Sequence, residues 1–339
     1  MAMPLDQVTE VDEMKLSEEQ SRPKPLTRGR VIWRRLRSST QFWAGGCVLI
    51  AIVLFALVGP LLWPIDPTTR DYFALNQPPS LAHPFGTDTL GYDIFARTMA
   101  GLQISLIIGF VAGPLATLLA GFLGSLAGYV GGWSDKVIAW FIDLLLVIPA
   151  FFILILLFPF FKGSNWIVMT FYLGLTGWMI MAQVIRSQTR SLREREFVKA
   201  ARFMGFGTWS VVRRHIVPNV ASLLIIDAVL GIGAMILAET TLSFFGFGVQ
   251  APAISLGVLI SEGNTAAATR PWLFVFPAGL LVTFLLALSL VGDALRDAIL
   301  CVDPTANPET FKAAQLALAR WVSQHLRMPE AYRVTWEID

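Results

Sequence analysis

The chain has 339 residues, of which 55% are hydrophobic and 15% charged, and its mean hydropathy is +0.62. One soluble core could not bury so much apolar surface, so the composition excludes an ordinary soluble domain and predicts a membrane protein. The formal net charge of +2 argues against a nucleic-acid-binding protein, and two widely separated cysteines argue against a disulfide framework or a cysteine metal site.

The first 41 residues are polar, and no cleavable signal sequence is recognised before Phe42. Acidic residues followed by Pro23 and Pro25 predict a disordered cytoplasmic tail over residues 1–27. Residues 28–41 form a basic cytoplasmic segment before the first apolar stretch. The fold is therefore expected to begin at about residue 28.

Six apolar stretches reach the roughly 20 residues that a helix needs to cross about 30 Å of hydrocarbon. They are residues 42–63, 103–128, 137–158, 165–184, 221–246 and 272–294. The second and fifth are rich in glycine and alanine, which let helices approach closely in lipid. These two are predicted to lie inside a bundle, unless the small residues merely fill apolar helices. The predicted fold class is an all-α membrane protein with six transmembrane helices.

Lysine and arginine mark the cytoplasmic side of a membrane protein. One side carries the five arginines of residues 28–41, Lys136, eight basic residues from Arg186 to Arg214, and Arg296. The opposite side carries only Arg70, Arg97, Lys162 and Arg270. Both termini are therefore predicted to be cytoplasmic, and segments 64–101 and 247–271 to be external.

The sequence lacks a GxxxxGK[ST] phosphate loop, an HExxH motif and a CxxC motif, and its three histidines are far apart. It therefore predicts no catalytic residue, no metal site and no nucleotide hydrolysis by this chain alone. An ion-coupled secondary carrier would instead place ionisable groups at mid-membrane. A channel or a non-transport structural subunit is a further alternative.

Four acidic residues fall inside the apolar stretches: Asp143, Asp227, Glu239 and Asp293. Asp143 and Asp227 lie about one to two turns from the predicted cytoplasmic ends, which favours structural pairing. Glu239 lies deeper, beside Thr240. The sequence leaves two interpretations of Glu239 and Thr240 open, because the pair either lines a passage or caps a bent helix.

A polar interruption over residues 185–219 separates the fourth and fifth stretches. Residues Arg193 to Met204 predict a helix. One apolar face of this helix is expected to hold Phe197, Ala200, Ala201 and Met204. The face either contacts a cytoplasmic protein, with the arginines meeting an acidic rim, or rests on phospholipid headgroups.

The residues after this helix predict a turn and a second helix. Gly205 is predicted to end the helix in a left-handed conformation, as glycine does at low energetic cost. Thr208 is predicted to cap a second helix through Val217, and Pro218 is predicted to stop it.

Two adjacent alanines, a glycine four residues later and a hydrophobic-x-proline triplet about a dozen residues on resemble the EAA loop of binding-protein-dependent ABC importer permeases. In that family the loop docks on a separate ATPase subunit. The resemblance assigns this coupling role to Glu196, Lys199, Ala200, Ala201, Gly205, Ile216 and Pro218. Lys199 departs from the family glutamate, although Glu196 lies one helical turn earlier.

Three further segments resemble the C-type permeases of oligopeptide, dipeptide and nickel importers. They are HPFGTDTLGYDIFARTMAG over 83–101, LSFFGFG over 242–248 and GDALRDAILCVDP over 292–304. The departures are Phe85, Tyr92 and extra residues before Asp303. The likeness covers about residues 28–304 and implies a type I, MetI-like permease fold with its core over 102–304.

The first of these segments also predicts an ordered external platform, which either contacts a solute-binding protein or is purely structural. Its residues are Gly86, Thr87, Asp88, Gly91, Asp93 and Arg97. The glycines permit tight turns, Asp88 is expected to bond nearby backbone amides, and Asp93 is expected in the first turn of a helix over 91–100.

The resemblance implies an assembly in the bacterial inner membrane. Its partners would be a second, B-type permease, two ATPase subunits of D- and F-type or one fused chain, and an extracytoplasmic solute-binding protein, with membrane lipid around them. ATP and Mg²⁺ would bind the ATPase subunits, and this chain would bind no cofactor. Peptides are the expected cargo, with nickel or another small solute as the alternative. Residues 305–339 form a cytoplasmic extension beyond the likeness.

Overall fold

A computed structural model describes residues 28–148, 150–157 and 166–300. The described residues form helices and turns, and two isolated antiparallel bridges join Arg70 to Tyr92 and Thr87 to Asp93. The predicted mainly helical membrane fold is confirmed. The predicted tail over 1–27 and the extension over 305–339 lie outside the described residues.

The described helices are numbered here in chain order. They are α1 (Arg28–Ser38), α2 (Thr40–Leu62), α3 (Ile94–Val130), α4 (Gly132–Val147), α5 (Ala150–Leu157), α6 (Trp166–Thr176), α7 (Met179–Arg193), α8 (Glu196–Phe203), α9 (Thr208–Val211), α10 (Val217–Phe244), α11 (Leu256–Ala266) and α12 (Trp272–Leu300). One turn of π-helix, Val212–Ile216, joins α9 to α10. The chain divides into two compact units, residues 39–297 and a smaller unit made from both chain ends. In the smaller unit, the described residues are α1 and the last residues of α12.

Five helical segments are long and apolar enough to cross a membrane. They are Thr40–Leu62, Ile94–Val130, Trp166–Arg193, Thr208–Phe244 and Trp272–Ile299. These five match five of the six predicted stretches. The remaining stretch, 137–158, is covered by α4 and α5, of 16 and 8 residues, and neither reaches spanning length alone.

Helix α3 is the centre of the larger unit, and its glycines bring two neighbours into backbone contact. A Cβ atom on Gly113 would lie 2.9 Å from the backbone nitrogen of Ile232 in α10. A Cβ atom on Gly124 would lie 2.6 Å from the carbonyl oxygen of Ala182 in α7. Real side chains do not fit at such distances, so these glycines permit the packing. The prediction that the second span lies inside the bundle is confirmed, since half of its apolar stretch is buried. The fifth span contacts the second closely, but only 22% of its apolar stretch is buried, so its predicted place inside the bundle is not confirmed.

Proline in the first span leaves a carbonyl without its helical donor, and a neighbouring helix supplies one. Pro60 lies inside α2 and has no N–H for the carbonyl of Ala56, four residues earlier. The amide Nε2 of Gln103 in α3 donates to that carbonyl at 2.6 Å, and Ala56 is fully buried. Since lipid offers no replacement donor, this bond holds α2 against α3.

We expect Gln103→Leu to destabilise the protein by about 1 kcal/mol, because the Ala56 carbonyl is then buried without a partner. The thermal unfolding midpoint of the detergent-solubilised protein measures the effect. Gln103→Glu keeps the side-chain length but also removes the amide donor, so it should lower the midpoint as well. A wild-type midpoint for the leucine variant would contradict this role of Gln103.

Candidate functional site: the cytoplasmic coupling segment and the external platform

The cytoplasmic segment begins as the continuation of a membrane helix. Helix α7 runs to Arg193, and the next two residues, Glu194 and Arg195, interrupt the helix before α8 begins at Glu196. The predicted helix from Arg193 to Met204 is therefore too long at its start. The break gives α8 a direction of its own, while only two residues separate it from α7.

The end of α8 is as predicted. Gly205 has φ +80°, in the left-handed region. Its N–H donates to the carbonyl of Arg202 at 3.1 Å, and the N–H of Phe206 donates to the carbonyl of Ala201 at 3.3 Å. These two bonds form a Schellman turn, which satisfies the last carbonyls of the helix. A residue with a Cβ atom would be strained here.

The second helix differs from the prediction at both ends. Gly207 is its N-cap, with no side-chain capping bond, so Thr208 does not cap it. Pro218 lies in the first turn of α10, and the chain is helical from Thr208 to Phe244. Proline is tolerated there because the π-turn before it changes the backbone pairing, so its missing N–H disrupts no regular helix interior. The predicted stop at Pro218 is wrong.

Part of the predicted apolar face of α8 points into the protein. Val198 and Ala201 are each 1% exposed. They belong to one buried cluster with Tyr129, Val211, Val212 and Ile216. Tyr129 lies at the C-terminal end of α3, so α8 rests on this chain's own membrane helix. The prediction of one face that includes Ala201 is wrong, because α8 needs an inward face to hold it in place.

The outward face of α8 carries large apolar side chains. Phe203 is 91% exposed, Met204 70% and Phe197 44%. Ala200 is also exposed and adds no bulk between them. We call these four residues the coupling surface. An exposed apolar patch of this kind is typical of a contact site for a protein or for a membrane.

The seven residues assigned to coupling divide by burial. Glu196, Lys199, Ala200, Gly205 and Pro218 are exposed, whereas Ala201 and Ile216 are buried. Lys199, at the position of the family glutamate, lies 3.3 Å from Glu194 through its Nζ atom. Both side chains are more than half exposed, so the pair contributes little stability.

The external platform is built on the two tight turns predicted at Gly86 and Gly91. Their φ angles are +72° and +83°. Oδ1 of Asp88 accepts from the backbone N–H of Leu90 at 2.8 Å and from that of Tyr92 at 2.9 Å. The predicted turn and amide bonds are confirmed.

Asp93 caps a helix rather than lying in its first turn. Oδ1 of Asp93 accepts from the backbone N–H of Ala96 at 2.8 Å, and Oδ2 lies 2.7 Å from Nδ1 of His83. The helix begins at Ile94 and continues without a break to Val130. The predicted separate helix over 91–100 is therefore part of the second span.

Two further platform residues bridge distant parts of the external side. The hydroxyl of Thr87, fully buried, accepts from the backbone N–H of Gln77 at 2.9 Å. Nη1 of Arg97 lies 3.1 Å from Oδ2 of Asp88 and 3.0 Å from Oε2 of Glu262 in α11. The structure thus gathers all six predicted platform residues into one ordered unit.

Glu239 is fully buried in this chain. Its Oε1 accepts from the hydroxyl of Ser243 at 2.6 Å, and its Oε2 from the hydroxyl of Ser105 in α3 at 3.3 Å. Among the described residues no lysine or arginine forms an ion pair with it. The carboxyl therefore depends on hydroxyl donors. The pathway role of Glu239 and Thr240 stays a prediction.

The same serines hold the segment over 245–256. The hydroxyl of Ser105 accepts from the backbone N–H of Leu256 at 3.2 Å, and that of Ser243 accepts from the N–H of Val249 at 3.3 Å. A Cβ atom on Gly248 would lie 1.8 Å from the Ser243 hydroxyl. Glu239 is thus the centre of a network that fixes this segment to α3 and α10.

Two of the other acids in the apolar stretches, Asp227 and Asp143, have polar partners on neighbouring helices. Oδ2 of Asp227 accepts from the hydroxyl of Thr117 at 2.5 Å, and Oδ1 of Asp143 accepts from Nε2 of Gln183 at 2.9 Å. Both contacts agree with the predicted structural pairing.

Sequence reasoning missed an ion cluster at the cytoplasmic end. Asp135, in the first turn of α4, is 5% exposed and pairs with Arg186 and Arg190 of α7. The hydrogen bond from Arg186, helped by that from Arg190, holds the pKa of Asp135 below its usual range despite burial. The available signal was one acid opposite two arginines spaced one helical turn apart.

Comparisons with known proteins identify the family of the chain. Residues 120–300 match the family described as binding-protein-dependent transport system inner membrane component. Residues 27–79 match the N-terminal TM domain of oligopeptide transport permease C. The chain is 43% identical over 282 residues to the oligopeptide transport system permease protein OppC of Mycobacterium tuberculosis H37Rv, covering 83% of this chain and 96% of that protein. It is 38% identical over 277 residues to the protein of the same name from Escherichia coli K12, covering 80% of this chain and 91% of that protein. It is 35% identical over 277 residues to the one from Bacillus subtilis 168, covering 81% of this chain and 90% of that protein.

Proposed function

The chain belongs to the binding-protein-dependent transport system inner membrane component family, and on that premise we propose that it is the permease subunit of an ATP-driven importer of peptides. It is a multi-pass protein of the bacterial inner membrane. An external solute-binding protein delivers oligopeptides or dipeptides to it. Its relatives are oligopeptide permeases, which favours peptides over nickel and a permease over an ion-coupled carrier.

The coupling surface is the observation that carries the energy-coupling part of the proposal. Phe203 and Met204 are far more exposed than a free cytoplasmic surface favours, while Ala201 on the opposite side of α8 anchors the helix. A groove on an ATPase subunit can close over Phe197, Ala200, Phe203 and Met204 without moving the buried cluster. The exposed arginines around this surface can meet acidic residues at the rim of the groove.

The energy comes from partner subunits in this proposal. ATP and Mg²⁺ bind to two ATPase subunits, whereas this chain performs no chemical step. It forms the translocation passage together with a second permease chain. Closure of the ATPase dimer pulls on α8, and because α7 and α10 flank that helix, the membrane bundle changes from inward-open to outward-open. Coupling requires that the contact at α8 differ in free energy between the two states.

The proposed topology has six spans, with α4 and α5 as the third and both termini in the cytoplasm. The sum of 16 and 8 residues in these two helices is 24, enough to cross about 30 Å of hydrocarbon. The basic residues around α7 and α8 support this orientation. Glu239 and the platform then lie toward the external side, where the binding protein docks.

Phe203→Asp tests the coupling surface. We expect co-purification of the ATPase subunits and peptide uptake to fall about tenfold or more, because an apolar anchor in a protein interface becomes a charge. Phe73→Asp is the matched control, since Phe73 is 97% exposed and lies in the external segment. It should leave ATPase capture unchanged.

Wild-type capture and uptake by the Phe203→Asp complex would contradict docking at this surface. Uptake by the purified chain alone, driven by an ion gradient, would contradict the importer proposal itself. The peptide that co-purifies with the cognate binding protein would identify the cargo class directly.

A further inference from the structure

The ion cluster at Asp135 occupies the junction between the coupling segment and the helix that follows the second span. Asp135 lies on α4, and its two partners, Arg186 and Arg190, lie on the last turns of α7. Only Glu194 and Arg195 separate α7 from α8. Any displacement of α8 therefore reaches the two arginines over a few residues of chain.

Helix α7 is firmly held by the bundle. A Cβ atom on Gly128 of α3 would lie 2.6 Å from the carbonyl oxygen of Arg186, and Gly124 is equally close to Ala182. This backbone contact makes α3 and α7 one packed pair. Motion of the coupling segment is thus passed to the pair as a whole.

Helix α4, in contrast, has few contacts that tie it to the bundle. Of its 16 residues, only Asp135 and Ile142 are buried. Trp133 and Trp140 are 80% and 64% exposed, and Val147 is 78% exposed. The middle of α4 is held to α7 by the packing of Ile142 and by the bond from Gln183 to Asp143. At the first turn of α4, the ion pairs of Asp135 make the contact with α7.

The exposure of the charged groups at this junction favours a contact that holds α4 to α7 but can break and re-form. The Arg186 side chain is 20% exposed and that of Arg190 is 52% exposed, whereas the Asp135 side chain is 7% exposed. One pair is enclosed and the other reaches solvent. An ion pair that is partly exposed to solvent can break and re-form without opening an apolar core.

We propose that Asp135 is a positioning residue that carries movement of the coupling segment to α4, the start of the third span. This inference rests on the proposed function, since it assumes that α8 is moved by an ATPase. It adds a second transmission route beside the direct one through α10. The role requires a carboxylate that stays paired with both arginines. It requires no contact of Asp135 with peptide or nucleotide.

Asp135→Asn in the assembled importer is the test, with Asp135→Glu as the conservative variant. We expect the asparagine complex to assemble and to keep basal ATP hydrolysis, but the number of peptides imported per ATP should fall about fivefold. The glutamate variant should restore most of that ratio. A purely structural role would lower yield and leave the ratio unchanged.

Arg190→Gln guards against a variant that fails to fold, because Arg190 is half exposed and its loss leaves the Arg186 pair in place. This variant should also lower the number of peptides imported per ATP, but by a smaller factor. Spin labels on Trp133→Cys and Arg202→Cys, with Cys47 and Cys301 replaced by serine, give a second readout. The α4-to-α8 distance should be fixed through the ATPase cycle in the parent and should vary in Asp135→Asn.

An unchanged peptide-to-ATP ratio and an unchanged label distance in Asp135→Asn would overturn the inference. Measuring the Phe203→Asp variant in the same complex distinguishes the proposed docking at the coupling surface from the proposed role of Asp135. If Phe203→Asp loses the ATPase while Asp135→Asn behaves as wild type, the proposed function stands and only the role of Asp135 fails. If Phe203→Asp also has no effect, docking at the coupling surface fails.

Discussion

Ala201→Asp should unfold the cytoplasmic segment rather than simply weaken its contact with a partner. Ala201 is 1% exposed and packs in the cluster that contains Val198, Val211 and Ile216. A carboxylate at this position would be buried among mainly apolar side chains, so the cost is about 3 kcal/mol or more. Trypsin digestion of inside-out vesicles measures the effect, because the segment is rich in arginine and becomes cleavable once it opens.

Ala200→Asp is the matched control for this prediction. It introduces the same charge one residue earlier on the same helix, but on the exposed coupling surface. We expect Ala200→Asp to keep wild-type protease resistance and to lower ATPase capture. Equal protease resistance for the two variants would show that the inward face of α8 has been assigned incorrectly.

Glu239→Ala should release the segment over 245–256. The carboxyl is fully buried and accepts from the hydroxyls of Ser243 and Ser105, which in turn accept from the backbone of that segment. Removing it leaves a cavity and misplaces both serines, at a cost of about 2 kcal/mol or more. We expect peptide uptake to fall with the loss of this order.

Labelling of Val249→Cys with a membrane-impermeant maleimide, in a Cys47→Ser and Cys301→Ser background, reports the release. Val249 is 4% exposed, so the thiol should react slowly in the parent and about tenfold or more faster in Glu239→Ala. Glu239→Gln keeps an oxygen acceptor for Ser243 and should stay close to the parent. Slow labelling in the alanine variant would contradict the anchoring role.

The features of the sequence that are local in origin predicted the structure well. Gly205 ends its helix with positive φ, and Gly86, Asp88 and Gly91 form the expected turns, because each depends on backbone sterics or on bonds within a few residues. The membrane stretches follow from length and hydropathy in the same way. The small residues of the second and fifth spans indicated close packing correctly.

The features that depend on tertiary context were predicted less well. Helical periodicity grouped Ala200 with Ala201, but only the position of Tyr129 on α3 decides which alanine faces inward. Pro218 looked like a stop because periodicity cannot anticipate a π-turn. The partners of Asp135 lie 51 and 55 residues away along the chain, and the spacing of Arg186 and Arg190 indicated that an acid could pair with both but not which acid does.

The π-turn beneath α10 has a mechanical consequence. Helix α10 has 28 residues, a rod of about 42 Å, and the turn at its cytoplasmic base is a place where the helical register changes. If that base acts as a pivot, a tilt of about 10° moves the far end by about 7 Å, by the rise per residue of an α-helix. Glu239 lies near the far end of α10. A small shift at the base of the helix, beside the coupling surface, therefore becomes a displacement of several ångströms beside Glu239.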